Sequence, residues 1–287
     1  MKLALGTAQF GLAYGIAGSD QVHQVEVRNI LKRAREAGID TIDTAIAYGE
    51  SEKQLGNASV AGFNVITKLP PISEDPTDVA SWVSNQVEES LGRLKKQQIG
   101  GLLFHEPSQL LESRGEELWR AVNSLKKHET VSKIGYSIYD PSELDLLFNT
   151  FRPDIVQVPY NIIDRRIEQS GWMQRLYEDG VEIHVRSIFL QGLLLMSQKN
   201  RPAQFKTWSG LWSIWESWLQ ENQVSPLEAC LSFALQESRI NSVIVGVDSI
   251  AQLEEILAGS NKKINQFPTE VESTDVNLVH PSRWKTL

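Results

Sequence analysis

Apolar and polar positions follow two rhythms along the chain. Short runs rich in β-branched residues are each followed by a longer stretch whose apolar residues return every three or four positions. The short runs predict strands over residues 2–7, 41–44, 63–68, 100–105, 133–137, 154–159, 181–187 and 242–247. Between them, Val27, Ile30, Leu31 and Ala34 share a helix face that Gly38 ends, and residues 51–55 begin a short helix. Val79, Val83, Val87 and Leu91 mark the next helix. Further helices are predicted over residues 116–127, 141–149, 169–179 (ended by Gly180) and 250–258.

Eight strand-then-helix units with short connections imply parallel strands and right-handed crossovers. The fold expected is an α/β (β/α)₈ TIM barrel, forming a single domain over residues 1–287. An open doubly wound sheet would carry a glycine-rich dinucleotide turn after its first strand. Gly6, Gly11 and Gly15 have the wrong spacing for it. One connection is long. Residues 188–224 form a Trp-rich insertion before the capping box Ser225-Pro226-Leu227-Glu228. Trp208, Trp212, Trp215 and Trp218 lie along it with Leu211, Ile214 and Leu219 at helical spacing. An added helix that packs its indoles on the barrel is the first expectation. A part of the segment lining the substrate mouth is the second.

Composition narrows the function classes. A hydrophobic fraction of 41% with 22% charged residues describes an ordinary globular chain. The net charge of −8 argues against nucleic acid as a partner, because phosphate binding needs a basic face. Only Leu3–Leu5 separate Lys2 from Gly6, too little for a signal-peptide core, and no window has the apolar length to cross a bilayer. A cytoplasmic enzyme without membrane contact is therefore expected. Cys230 sits in a helical apolar stretch as an inert thiol, and no His/Cys cluster calls for a metal. The sequence carries no signal for oligomeric state.

A barrel enzyme works at the C-terminal ends of its strands. Asp43 ends the second strand and Tyr48 follows in DTAIAYG; Lys68 ends the third in VITKLP, and His105 ends the fourth in LLFHEP. Ser137, Gln157, Arg186 and Ser187 close later strands. Singly, each has an ordinary structural account: a turn cap, a loop phenol, a surface lysine, a satisfied histidine. Together they make one chemistry. A phenol with a pKa of about 10 is a weak acid at neutral pH, and a neighbouring ammonium lowers that value. Asp43 would hold Lys68 charged and aimed, and His105 would donate to a substrate carbonyl. With no electrophile or metal in the set, hydride would come from an organic cofactor.

These residues with their flanks resemble the catalytic set of the aldo-keto reductase superfamily, and of its short bacterial members in particular. LGTAQFG, SLGRLKKQQIGGLLFH, KIGYS, QVPYN and SVIVGVDSIAQLEE extend the resemblance over essentially the whole chain, in order. It implies reduction of a small-molecule aldehyde or ketone by NADPH or NADH. Tyr48 would be the general acid, Lys68 and Asp43 would tune it, and His105 would orient the carbonyl. The resemblance to members encoded among surface-polysaccharide genes suggests a sugar-like substrate. It also implies Ser137 and Gln157 on the nicotinamide carboxamide and Arg186 stacked on the ring. Ser187, Phe189 and Gln191 would serve the pyrophosphate, with Thr7 on the same side. Gly246, Val247, Asp248, Gln252 and Glu255 would form the adenosine end.

Three positions depart from that pattern. Ile138 stands where an asparagine usually completes the carboxamide contact, and Ile256 where one usually reads adenine. Asp248 stands near the usual basic grip on the 2′-phosphate of NADP, where an acidic side chain would suit a ribose hydroxyl instead. Weakened selectivity for NADP, with NADH able to serve, follows as an expectation, unless Lys262 or Lys263 supplies the missing cation; the choice of nucleotide stays open. Two other readings stay open: a cofactor-binding sensor with little turnover, and a lyase or isomerase using Lys68 as a Schiff base. The tail residues His280 and Trp284 are expected across the barrel, with Trp284 a candidate substrate contact.

Overall fold

Strand alternation decides what this molecule places at its centre. The computed structural model describes residues 2–13, 15–16, 21–72 and 77–286. The strands are β1 (Leu3–Gly6), β2 (Thr41–Asp43), β3 (Asn64–Leu69), β4 (Ile99–Phe104), β5 (Val131–Ser137), β6 (Ile155–Pro159), β7 (Glu182–Arg186) and β8 (Ser242–Gly246). They pair in parallel in sequence order, and β8 closes on β1 through Leu3↔Val243 to Gly6↔Gly246. The predicted (β/α)₈ TIM barrel is the architecture found.

Ile66, Leu103 and Ile155 form a small buried cluster apart from the larger core. Side chains two apart on a strand share a face, so these three identify the positions that face the barrel axis. Gly101 leaves room for them: a Cβ there would come within 2.9 Å of Ile66 Cδ1 and 3.0 Å of Ile155 Cδ1. Two residues further along β3 and β6, the same face carries Lys68 and Gln157. Register adds Gly6 and Asp43 beside Ile66, and Ser137 beside Gln157. An apolar plug therefore supports a polar layer at the C-terminal end of the strands. The outward faces pack with the helices into the main core.

Helices bridge the strands as the spacing predicts, including Gln24–Glu36, Val79–Leu94, Gly115–Lys127 and Ile250–Gly259. One prediction is corrected. The helix expected over 169–179 is broken into Arg166–Gln169 and Trp172–Glu178, because Gly171 adopts a left-handed φ of 81°. The capping box forms as read, with Ser225 Oγ accepting from Glu228 N at 3.2 Å and Ser225 N donating to Glu228 Oε2 at 2.9 Å.

The insertion contains the helix Ser209–Glu221. Trp212 and Trp215 are buried, and their indoles donate to Phe205 O and Leu194 O at 2.9 and 3.3 Å. Trp218 stacks on Trp215. Trp284 of the tail is also buried: its ring meets Phe205 edge-on at 5.0 Å and its indole donates to Leu278 O. These contacts anchor the tail to the insertion. Cys230 is buried, and burial pushes its thiol pKa up. Among the described residues, no helix is long and apolar enough to cross a membrane.

Candidate active site

The polar layer is cross-linked at its centre. Lys68 Nζ lies 2.9 and 2.7 Å from the two carboxylate oxygens of Asp43 and 2.8 Å from Thr44 O. Its side chain is 1% exposed. Gln157 Nε2 donates to Asp43 Oδ1 at 2.6 Å, and Gln157 Oε1 accepts from Ser137 Oγ at 3.2 Å. So β2, β3, β5 and β6 meet in one network. With its ammonium enclosed in this way, Lys68 is not presented for Schiff-base chemistry.

Tyr48 and His105 sit above it. Lys68 Nζ is 5.1 Å from the centroid of the Tyr48 ring, and the His105 ring meets Tyr48 edge-on at 5.7 Å. His105 is fixed just past β4 by its N–H donating to Leu69 O. The loop bearing Tyr48 is set by a backbone contact that only glycine allows. A Cβ on Gly11 would fall 1.7 Å from Tyr48 O and 2.5 Å from Ser51 N. That contact explains the closing glycine of LGTAQFG. The structure thus brings Asp43, Tyr48, Lys68 and His105 together at one rim.

Electrostatics correct one expectation. The Tyr48 phenol is held above its ordinary range, not drawn below it. Burial raises it first, the Asp43 carboxylate raises it further, and Arg186 opposes. A unit charge about 5 Å away is worth roughly 3 kcal/mol at an effective dielectric near 20. Asp43 touches the same ammonium, so Lys68 is largely cancelled as seen from Tyr48, and desolvation wins. His105 moves the other way. Burial, then Lys68 and Arg186, lower its imidazole to about 4, so it is neutral at physiological pH.

A cleft of about 400 Å³ runs from this rim over β1, β7 and β8. Thr7, Arg186, Ser187, Phe189, Gln191, Gly246, Asp248, Gln252 and Glu255 line it with Asp43 and Tyr48. Ser137 and Gln157 lie beneath, committed to the Asp43 network, and Val247 is buried outside the lining. Leu227 and Ile256 give the far end an apolar bed. The floor loop after β7 is contorted: Ser187, Leu190 and Gln191 have φ of 59°, 48° and 52°. Such backbone costs about 1–2 kcal/mol per residue and persists where surroundings enforce it. Asn161 is one enforcer, donating to Ser187 O at 3.1 Å while Ile163 N and Asp164 N lock its own oxygen. Strand-end position alone does not single it out, although it closes the QVPYN segment.

Arg186 is the one basic side chain among the described residues that line the cleft. It reaches across to β5: Nη2 donates to Ile138 O at 2.9 Å, and Nε lies 3.4 Å from Ser137 Oγ. The Ile138 side chain is buried and does not line the cleft, and Arg186 meets this residue through its carbonyl. The guanidinium packs 4.2 Å from the Tyr139 ring, and His280 stacks on the same ring at 4.2 Å. Neither aromatic partner was legible from local pattern. Lys262 and Lys263 do not line the cleft.

The lining suits an extended dinucleotide: a narrow glycine edge at Gly6 and Gly246, main-chain N–H groups in a left-handed turn, and an apolar end. Comparison with known proteins agrees. The model of the Aldo/keto reductase family matches residues 2–270. The uncharacterized oxidoreductase YqkF of Bacillus subtilis is 25% identical over 82% of this chain and 82% of its own. The L-glyceraldehyde 3-phosphate reductase of Escherichia coli is 24% identical over 88% and 85%. An aldo-keto reductase from Bacillus halodurans superposes with a TM-score of 0.73 at 20% identity, covering 92% and 88%. With the barrel, the rim and this match over nearly the whole chain, the protein belongs to the aldo/keto reductase family and is an NAD(P)-dependent oxidoreductase.

Proposed function

We infer that the protein reduces a small aldehyde or ketone with Tyr48 as general acid, and that it favours NADH over NADPH. The observation that carries the first part is the meeting of Tyr48, His105 and the Lys68–Asp43 pair at one end of the cleft. When bound, the nicotinamide nucleotide supplies the hydride. The contorted turn at Ser187, Phe189 and Gln191 would hold its pyrophosphate. Thr7, Gly246, Asp248, Gln252 and Glu255 would border the remainder, and Arg186, Ser137 and Gln157 would flank the nicotinamide.

The chain's own groups divide the remaining work. Neutral His105 donates one N–H to the carbonyl oxygen and fixes its face. Tyr48 keeps its proton until alkoxide character develops on that oxygen, then gives it up. An alkoxide is more basic than a phenolate, so the transfer runs downhill even from a phenol whose pKa is raised. The resulting phenolate is favoured by the charge of Arg186, which opposes the raising effect of burial and Asp43 more for the anion than for the neutral phenol. A raised phenol pKa therefore still permits proton transfer in the reductive direction. A small hydroxylated, sugar-like aldehyde fits both the polar rim and the activity for which the E. coli relative is named.

Nucleotide preference rests on charge. Asp248 and Glu255 border the cleft at the end away from Tyr48, where a 2′-phosphate would bring further negative charge. Arg33, the basic residue against the neighbouring helix, is engaged by Glu254. Fluorescence titration of both nucleotides with a carbonyl panel tests the reading. NADH should bind about tenfold tighter or more, a difference of roughly 1.4 kcal/mol. Tighter NADPH binding would refute the preference, and inertness toward every carbonyl would refute the reductase reading.

A further inference from the structure

We propose that Arg186 determines substrate specificity by receiving an oxyanion, a carboxylate or phosphate, carried on the carbonyl substrate. This rests on the reductase reading above and names its substrate class. Arg186 is half-buried, faces the barrel axis at the end of β7, and lines the cleft together with Tyr48 and Asp43. Its polar contacts are all with neutral groups: Ile138 O at 2.9 Å, and Ser137 Oγ and Ser187 Oγ at 3.4 Å. Among the described residues no carboxylate lies within ion-pair distance of it.

Other shielded arginines of this chain behave differently. Arg165 pairs with Glu272, Arg166 with Asp140 and Asp164, Arg201 with Glu216, and Arg239 with Glu168 and Glu237. Desolvated cations are costly without a counter-charge, and elsewhere this fold supplies one. At the rim it does not. Asp43 is bound at contact by Lys68, so Lys68, Asp43 and Arg186 together leave one positive charge in a chain of net charge −8.

The direction of the side chain points to substrate over pyrophosphate. The shortest bond of Arg186 runs to β5, and its face is held by Tyr139, whose other neighbour is His280 of the tail. Two of its polar contacts and its ring contact thus lie on the β5 and tail side of the mouth, with Ser187 Oγ at 3.4 Å its contact to the turn at 187–191. Its charge reaches both Tyr48 and His105, the two groups that would flank the carbonyl. A guanidinium offers a planar fork that matches either oxyanion bidentately.

Matched pairs test this: glyceraldehyde with glyceraldehyde 3-phosphate, and butanal with succinic semialdehyde. In the wild type, kcat/KM should favour at least one charged member by roughly 10- to 100-fold, the worth of a charge-assisted contact. Arg186→Gln should remove most of that ratio, chiefly through KM, and Arg186→Lys should restore part of it. The two pairs separate phosphate from carboxylate. Nucleotide Kd values for each variant, read by fluorescence, report folded protein and cofactor affinity separately. If neutral aldehydes are reduced and the ratio is unchanged in Arg186→Gln, the proposal is overturned while the reductase reading stands. A variant in which only the nucleotide Kd weakens overturns it equally. If no aldehyde of either charge is reduced by the wild type, the reductase reading itself falls and takes this proposal with it.

Discussion

Asp43→Asn puts the centre of the polar layer under direct strain. The substitution keeps the size of the side chain but removes the charge that faces Lys68 Nζ at 2.7 and 2.9 Å. Lys68 has no route to water, being 1% exposed, so its ammonium must remain buried with neutral acceptors or lose its proton. Removing one partner of a buried ion pair costs about 3–5 kcal/mol. Unfolding entropy scales with chain length, so each kcal/mol moves the melting temperature of a chain this size by about 1.5–2 °C. The expected fall is about 5–10 °C in a thermal melt, with a loss of about 3–5 kcal/mol in a urea titration. The double variant Asp43→Asn/Lys68→Met removes the stranded charge as well. It should recover more than half of that stability while restoring no turnover, since the pair that packs against the Tyr48 ring and holds the polar layer is gone. A single-variant loss below about 1 kcal/mol, or a double variant no more stable than the single, would refute the reasoning.

Further outcomes follow from the same geometry. The His105 imidazole, lowered from 6.5 to about 4, should titrate near that lower value by NMR, with no step between pH 5 and 8. A depressed base makes the unfolded chain bind more protons between those two values. Stability is therefore lost as pH falls from 6.5 toward 4, and His105→Gln should flatten that slope. Gly11→Ala forces a Cβ against Tyr48 O, and a shift of about 1 Å at the acid should lower kcat by roughly 100-fold with little change in nucleotide Kd. Asp248→Arg should tighten NADPH by about tenfold in a fluorescence titration, leaving NADH weaker or unchanged.

The barrel was legible because its two rhythms are written locally. Alternation places Ile66 and Lys68 on one face of β3, and helical spacing places Val79, Val83 and Val87 on another. The rim was legible for the same reason, since strand ends fix where Asp43, Lys68 and His105 emerge. Features made by distant segments were not. Arg186 meets Tyr139 from another loop and His280 from the tail, and no local pattern records that meeting. Trp284 finds Phe205 in the insertion, a partner that no local pattern around the tail records. Gly171 sits inside a helical apolar pattern, and only its left-handed backbone reveals the break. The direction of the Tyr48 shift needed burial and the Asp43 contact, neither of which residue types alone contain.

The central claim, that Tyr48 delivers the proton in carbonyl reduction, meets its most direct test in Tyr48→Phe. Steady-state turnover should fall by about 10²–10⁴-fold, the usual worth of a positioned general acid, while the NADH Kd stays within about twofold of wild type. Turnover within about tenfold of wild type, with the fold and nucleotide binding intact, would contradict the account.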